Sequence, residues 1–331
     1  MNGSGRNLNW KRLGWARTLR RRFCVMRGRW LVSVPCLPTG LIAGLAAAFV
    51  LTSWTQSQAQ PRVYVVNYPL QYFAERIAGD QASVVFPAPP DGDPAFWKPD
   101  VETIAAFQAA DLILVNGATY AKWLKTASLP KSKMVDTSRS FAADYIEIKD
   151  DAVHSHGPEG EHSHAGTAFT TWLDLRQAAR QAEAVLQGLS RLLPDHQDTF
   201  EQRYAELRQE LLTLDERLDS LVARQREQPL LASHPVYQYF AKRYGLNLQS
   251  VLWEPDVMPD DGQWAQLQTI VETHAAAWML WEGEPLPESV DRLAALGVGS
   301  LVFDPCGNTP EQGDFLSVMQ RNVERLQQAF Q

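Results

Sequence analysis

The chain has 331 residues, enough for two ordinary domains, and its 45% hydrophobic content with 11 tryptophans excludes a disordered polymer. Charge is unevenly divided: residues 1–59 carry nine Arg or Lys and no acid, leaving 22 basic against 38 acidic side chains, a net charge of −16, in the remainder. That balance excludes a nucleic-acid partner and suits a protein that handles cations.

The basic start is followed by an apolar run, LIAGLAAAFVLTSW (41–54), and then by SQAQ. This order matches a secretory signal with a cut after Ala59. An uncleaved membrane anchor is the alternative, although a run of about a dozen residues is short for a spanning helix. Residues 60–331 are therefore expected in the periplasm or another extracytoplasmic space. Cys24 and Cys36 fall in the leader, so Cys306 is the one thiol beyond it and no internal disulfide is expected.

From Pro61 onward, short apolar runs alternate with amphipathic segments. VYVVN (63–67) reads as a strand, PLQYFAERIAG (69–79) as a helix opened by proline and closed by glycine, and ASVVF (82–86) as a strand. PAPPDGDPAFWKP (87–99) is a loop by its prolines and glycine. VETIAAFQAA (101–110) is helical, LILVNG (112–117) is a strand ending in a turn, YAKWL (120–124) is a short helix, and a weak strand lies near Met134–Asp136. This βαβαβαβ series predicts a parallel sheet.

Residues 140–170 show no apolar periodicity. A long helical region follows from Asp174 to about Arg226, interrupted at Pro194–Asp195. Its second half carries a stripe of Tyr204, Leu207, Leu211, Leu214, Leu218 and Leu221, the pattern of a strut lying across both halves of the protein. Strands are then predicted at 229–233, 248–253, 276–281 and 300–303, with helices at 236–244, 262–274, 286–296 and 314–330. The predicted fold class is α/β: two lobes, each with a roughly four-stranded parallel sheet flanked by helices, bridged by one long helix. The segments are a leader (1–59), a first lobe (60–173) with a His-rich loop (150–166), a linking helical region (174–227) and a second lobe (228–331).

Ligands of open α/β sheets sit beyond the carboxyl ends of the strands. SHPVYQYFAKRYGL (233–246) places His234 at such an exit, and VFDPCGN (302–308) places Asp304 at another. DGDPAFWKP (91–99) and TAFTTWLDL (167–175) are two more exit loops. HSHGPEGEHSH (154–164) holds His154, His156, His162 and His164, four of the seven histidines. Residues i and i+2 of an extended segment share a face, so each His-x-His pair can chelate a metal.

The order of elements, together with SHPVYQYFAKRYGL, ADLILVNGATYAKWL (110–124) and FDPCGN, resembles the ZnuA-like zinc/manganese substrate-binding proteins of bacterial ABC importers (cluster A-I type) over residues 61–331. The resemblance implies two α/β lobes on a rigid helix, and a metal held in the cleft by three His or Glu side chains and an Asp. It implies a membrane permease as partner and no catalytic activity; a monomer is expected. Zinc is favoured over manganese, because imidazoles favour zinc. HSHGPEGEHSH stands where many zinc members carry a His-rich acidic loop. Of the four ligand positions, His234 and Asp304 are retained, while the first falls on Ala95 and the second on Thr170. An alanine side chain offers no donor and a neutral hydroxyl is a poor one, so the inherited site is half built.

Three repairs are open. His162 or His164 can reach back toward the cleft, since His164 lies six residues before Thr170. Cys306 offers a thiolate two residues after Asp304, and Glu282, Asp91 or Asp93 offer carboxylates. Plainer roles stand beside these: His234 bonded to backbone, Asp304 capping a turn, Cys306 a buried small hydrophobe, the His-rich loop solvated, and His196 and His274 packing or surface residues. Phe96, Trp97, Trp172, Trp253 and Trp281 flank the lost positions and open an alternative, an apolar pocket for an organic ligand or a metal chelate. No HExxH sequence, Ser-His-Asp grouping or general base beside His234 points to an enzyme.

Overall fold

The computed structural model describes residues 59–90, 92–148, 153–155, 161–163 and 166–331, and these described residues belong to one compact unit. The leader falls outside the described residues. Among the described residues, no helix is long and apolar enough to cross a membrane.

The first sheet is built from β1 (Arg62–Val65), β2 (Ser83–Val85), β3 (Leu112–Val115) and β4 (Met134–Asp136), all parallel, in the order β2-β1-β3-β4. β1 and β3 are central, and their near-continuous apolar sequences are buried throughout apart from Arg62. Helix α1 (Tyr68–Ala78) starts where the Asn67 side chain accepts from the Leu70 N–H at 3.2 Å, with proline in its first turn. It ends at Gly79, whose φ of +54° favours glycine. Helix α2 (Val101–Ala109) is capped by Asp100, which accepts from Thr103 N at 2.7 Å.

The region without periodicity contains two short antiparallel ribbons. β5 (Glu147–Ile148) pairs with β8 (Gly166–Thr167), and β6 (Val153–Ser155) pairs with β7 (Glu161–Ser163), with His154 opposite His162 in the register. Strands of two or three residues are too short to leave a readable alternation, so sequence reasoning treated them as loop.

The long helical region is two helices, α3 (Leu175–Leu192) and α4 (Gln197–Val222), joined by a 3₁₀ turn at Pro194–His196. Helix α3 packs on α1, β3 and β4, whereas α4 spans both lobes, touching α1 and α3 on one side and α5 (Gln238–Tyr244) and α8 (Phe315–Leu326) on the other. The 26 residues of α4 extend for about 39 Å. Asp215 on α4, 1% exposed, ties three helices: it accepts from Arg176 Nε of α3 at 3.0 Å, Arg243 Nε of α5 at 2.8 Å and the Tyr244 hydroxyl at 3.1 Å.

The second sheet comprises β9 (Pro229–Ala232), β10 (Asn247–Ser250), β11 (Trp278–Trp281) and β12 (Gly299–Val302), parallel and in the order β10-β9-β11-β12. Helices α6 (Asp261–His274) and α7 (Pro287–Ala295) complete this lobe with α5 and α8. The two lobes thus repeat one strand order without a sequence repeat. Side-chain alternation divides the second lobe's apolar residues. Leu230, Ala232 and Leu280 join the main core shared with the first lobe, whereas Leu231, Met279 and Trp281 pack on Trp253, Trp264 and Leu293 on the outer face.

Candidate functional site

His234 and Asp304 are each fixed by the strand they leave. Ser233, after β9, is clamped by its neighbours: its N–H donates to Leu280 O at 2.8 Å, and its carbonyl accepts from Trp253 N at 2.7 Å. His234 follows at 1% exposure. Asp304, after β12, is gripped by Asn322 of α8, whose Nδ2 donates to Asp304 O at 2.7 Å and whose Oδ1 accepts from Asp304 N at 3.1 Å.

Three donors meet at the carboxyl ends of adjacent strands β10, β9 and β11. His234, Glu254 and Glu282 offer ligand atoms that all lie within 4.8 Å of one another. His234 Nδ1 is 3.6 Å from Glu254 Oε1 and 3.7 Å from Glu282 Oε1. Burial pushes the Glu282 carboxyl well above its ordinary range, and the negative charges of Glu254, Asp93 and Asp304 push it further. Each of those charges would be relieved by a cation.

Two of the three, His234 and Glu282, line a cavity of about 300 Å³ between the lobes. The second lobe contributes His234 and Glu282, and the first contributes Asp93, Thr170 and an aromatic wall of Tyr120, Phe169 and Trp172. Tyr120 and Phe169 meet edge to face at 5.4 Å, as do Tyr120 and Trp172 at 5.6 Å. The lobes are joined around it. Asn308 Nδ2 donates to Pro89 O at 2.7 Å and Gly92 O at 2.8 Å, Trp172 Nε1 donates to Pro305 O at 2.7 Å, and the Tyr239 hydroxyl donates to Ala168 O at 3.0 Å.

Ala95 and Thr170 make structural contacts. Ala95 is fully buried; its N–H donates to Asp93 Oδ1 at 2.8 Å and its carbonyl accepts from Lys122 N at 3.0 Å. Thr170, 5% exposed, donates its hydroxyl to Val236 O across the cleft. Beside them Lys122 Nζ lies 4.6 Å from the centre of the Phe169 ring and 5.6 Å from that of Phe96, and donates to Thr119 O at 2.9 Å. Burial lowers its pKa to about 8.

The remaining candidates are scattered. The Asp304 carboxylate accepts from Cys306 N at 2.6 Å, the turn-capping arrangement, and stands outside the His234–Glu254–Glu282 group. Burial raises the Asp304 pKa, opposed by that same hydrogen bond. Cys306 is 2% exposed with its thiol pKa pushed far up, by burial first and then by Asp304. His154 and His162 are register partners of the β6–β7 ribbon, while His156, His164 and Asp91 lie outside the described residues. His274 is buried, with Nε2 3.0 Å from Leu230 O, and His196 packs on the Phe200 ring. Sequence reasoning missed Glu254. Its signal was present, as the residue immediately after LQSVLW, but the stretch between the strand at 248–253 and the helix at 262–274 was given no role.

The family model for the zinc-uptake complex component A, periplasmic, matches residues 63–329. Zinc-binding protein AdcA of Streptococcus pyogenes serotype M3 is 24% identical over 300 residues, covering 84% of this chain but 58% of that protein, so the chain spans little more than half of that relative. The metal ABC transporter substrate-binding lipoprotein ScbA of Streptococcus cristatus is 23% identical over 306 residues, covering 86% of this chain and 93% of that one. The crystal structure of the metal-dependent lipoprotein YcdH from Bacillus subtilis matches with a TM-score of 0.70 at 20% identity, covering 82% of this chain and 99% of that one, a likeness of fold. The family consists of substrate-binding components, not enzymes. Two lobes of one strand order, a bridging helix, and a cleft with His234 at a strand exit accord with the family match, and the chain belongs to the ZnuA family of periplasmic zinc-uptake components.

Proposed function

We propose that this chain is an exported, monomeric solute-binding protein that captures a divalent metal ion, zinc before manganese, and delivers it to the permease of an ABC importer. The observation that carries the reading is the grouping of His234 with two carboxylates beside an interlobe cavity, in a chain of this family. The ligand set is altered, because Ala95 and Thr170 supply no imidazole. Imidazole and carboxylate donors both suit zinc. Export rests on the basic and apolar leader before Ala59. Capture and release require no bond to be made or broken in the cargo, in keeping with a family that holds no enzymes.

Isothermal titration with zinc tests this reading, on the wild-type chain and on a deletion of residues 154–164. One ion per chain with a Kd below about 10 μM supports it. Failure of both proteins to reach that affinity overturns it.

A second reading is favoured by the aromatic wall of Tyr120, Phe169 and Trp172: the cleft accommodates an organic ligand or a metal chelate. Native mass spectrometry of the purified protein distinguishes the two, by a retained organic mass in one case and a bare metal in the other.

A further inference from the structure

The geometry points to a cation site built wholly from the second lobe, with His234, Glu254 and Glu282 as its donors and Glu254 as a ligand that replaces the lost first-lobe positions. This rests on the metal-capture reading above and names the site that would perform it.

Distance separates a coordination group from a hydrogen-bonded one. A hydrogen bond between an imidazole N–H and a carboxylate is about 2.7–3.2 Å long. Donors each about 2.1 Å from one metal ion, at tetrahedral or wider angles, stand about 3.3–3.7 Å from each other. His234 Nδ1 lies 3.6 Å and 3.7 Å from the two glutamate oxygens, in the second range.

Topology makes the group rigid. The order β10-β9-β11 sets three strand ends side by side, and Glu254, His234 and Glu282 occupy their exits in that same order. The residue before each glutamate is a buried tryptophan, Trp253 and Trp281, with ring centres 6.1 Å apart. That pair anchors both exits on the outer face, while the glutamates gather with His234. The cavity bordered by His234 and Glu282 gives an ion its approach and leaves room for water to complete the coordination shell.

One imidazole with two carboxylates is a harder donor set than three imidazoles with one carboxylate. It accepts divalent transition metals more broadly, so the margin by which zinc is preferred over manganese is narrowed.

The test uses the full chain, ZnCl₂ and MnCl₂ as titrants, and three variants: Glu254→Gln, Asp304→Asn and deletion of residues 154–164. Glu254→Gln is expected to weaken zinc binding by about 100-fold or more, while the other two stay within about threefold of wild type. Cobalt substitution provides a second readout, because loss of a carboxylate ligand changes the visible absorption of the bound Co²⁺. Where Glu254→Gln does not fold, Glu254→Asp, shorter by one methylene, is expected to shift the same spectrum and weaken binding at least about tenfold. Wild-type binding with an unaltered affinity and cobalt spectrum in the Glu254 variant overturns this site but leaves metal capture standing. Absence of zinc binding by the wild-type chain overturns metal capture itself.

Discussion

The Thr170 hydroxyl donates to the main-chain carbonyl of Val236 and so joins one lobe to the other. Thr170 is 5% exposed, and removing its hydroxyl leaves a buried carbonyl without that donor. Thr170→Val is expected to lower stability by about 1–3 kcal/mol, read from urea unfolding. A loss below about 0.5 kcal/mol would mean that the bond is energetically idle.

Asp215 concentrates more energy. It accepts from Arg176, Arg243 and Tyr244, and the Arg243 side chain is only 14% exposed. Asp215→Ala strands that guanidinium, with Asp219 at 3.9 Å as its nearest remaining carboxylate. The expected loss is about 3 kcal/mol in denaturant unfolding, because breaking one side of a buried pair leaves an uncompensated charge. Arg176→Ala, at the exposed end of the same network, should cost about 1 kcal/mol or less.

Lys122 gives the protein an alkaline signature. Its folded-state pKa of about 8 lies below the ordinary 10.5, so the folded chain releases this proton first. Between those values the unfolded chain binds more protons, and the contribution of Lys122 to stability rises with pH. In Lys122→Met that rise disappears. The stability of wild type minus variant should therefore increase between about pH 7.5 and about pH 10 in matched urea titrations, and a flat difference would contradict the assignment.

Cys306 should be chemically silent in the native state. Its thiol is buried and its pKa is pushed far up by burial and by Asp304. On protein comprising residues 60–331, iodoacetamide at about pH 8 is expected to leave the folded chain unlabelled and to label the urea-unfolded chain at Cys306, as seen by intact mass. Rapid native labelling would show an accessible thiolate and return Cys306 to the list of ligands.

Most of the fold was legible, because the central strands β1, β3, β9 and β11 are short apolar runs buried by parallel pairing and several helices carry explicit ends. Asn67, Asp100 and Asp174 cap α1, α2 and α3, and Gly79 closes α1. The β5–β8 and β6–β7 ribbons were not legible, being only two or three residues long. The bridging role belongs to α4, and the leucines on its stripe already indicated this: Leu207, Leu211, Leu214 and Leu218 are all buried. At the site, His234 and Glu282 were readable as strand exits. Glu254 was not, because its partnership with them depends on the lateral order of strands, which no local pattern encodes. Asp304 matched a motif, yet its carboxylate is turned to the Cys306 N–H.

The arrangement of β10, β9 and β11 has a mechanical consequence. When a cleft's ligands come from both lobes, each ion captured works against the hinge, and affinity and closure rise and fall together. Here the three donors ride on one rigid sheet, and the lobes are tied separately through Thr170 and Asn308. An ion held at the proposed site would be gripped without bending anything, so emptying it would require competition for the ion itself rather than a prying apart of the two halves.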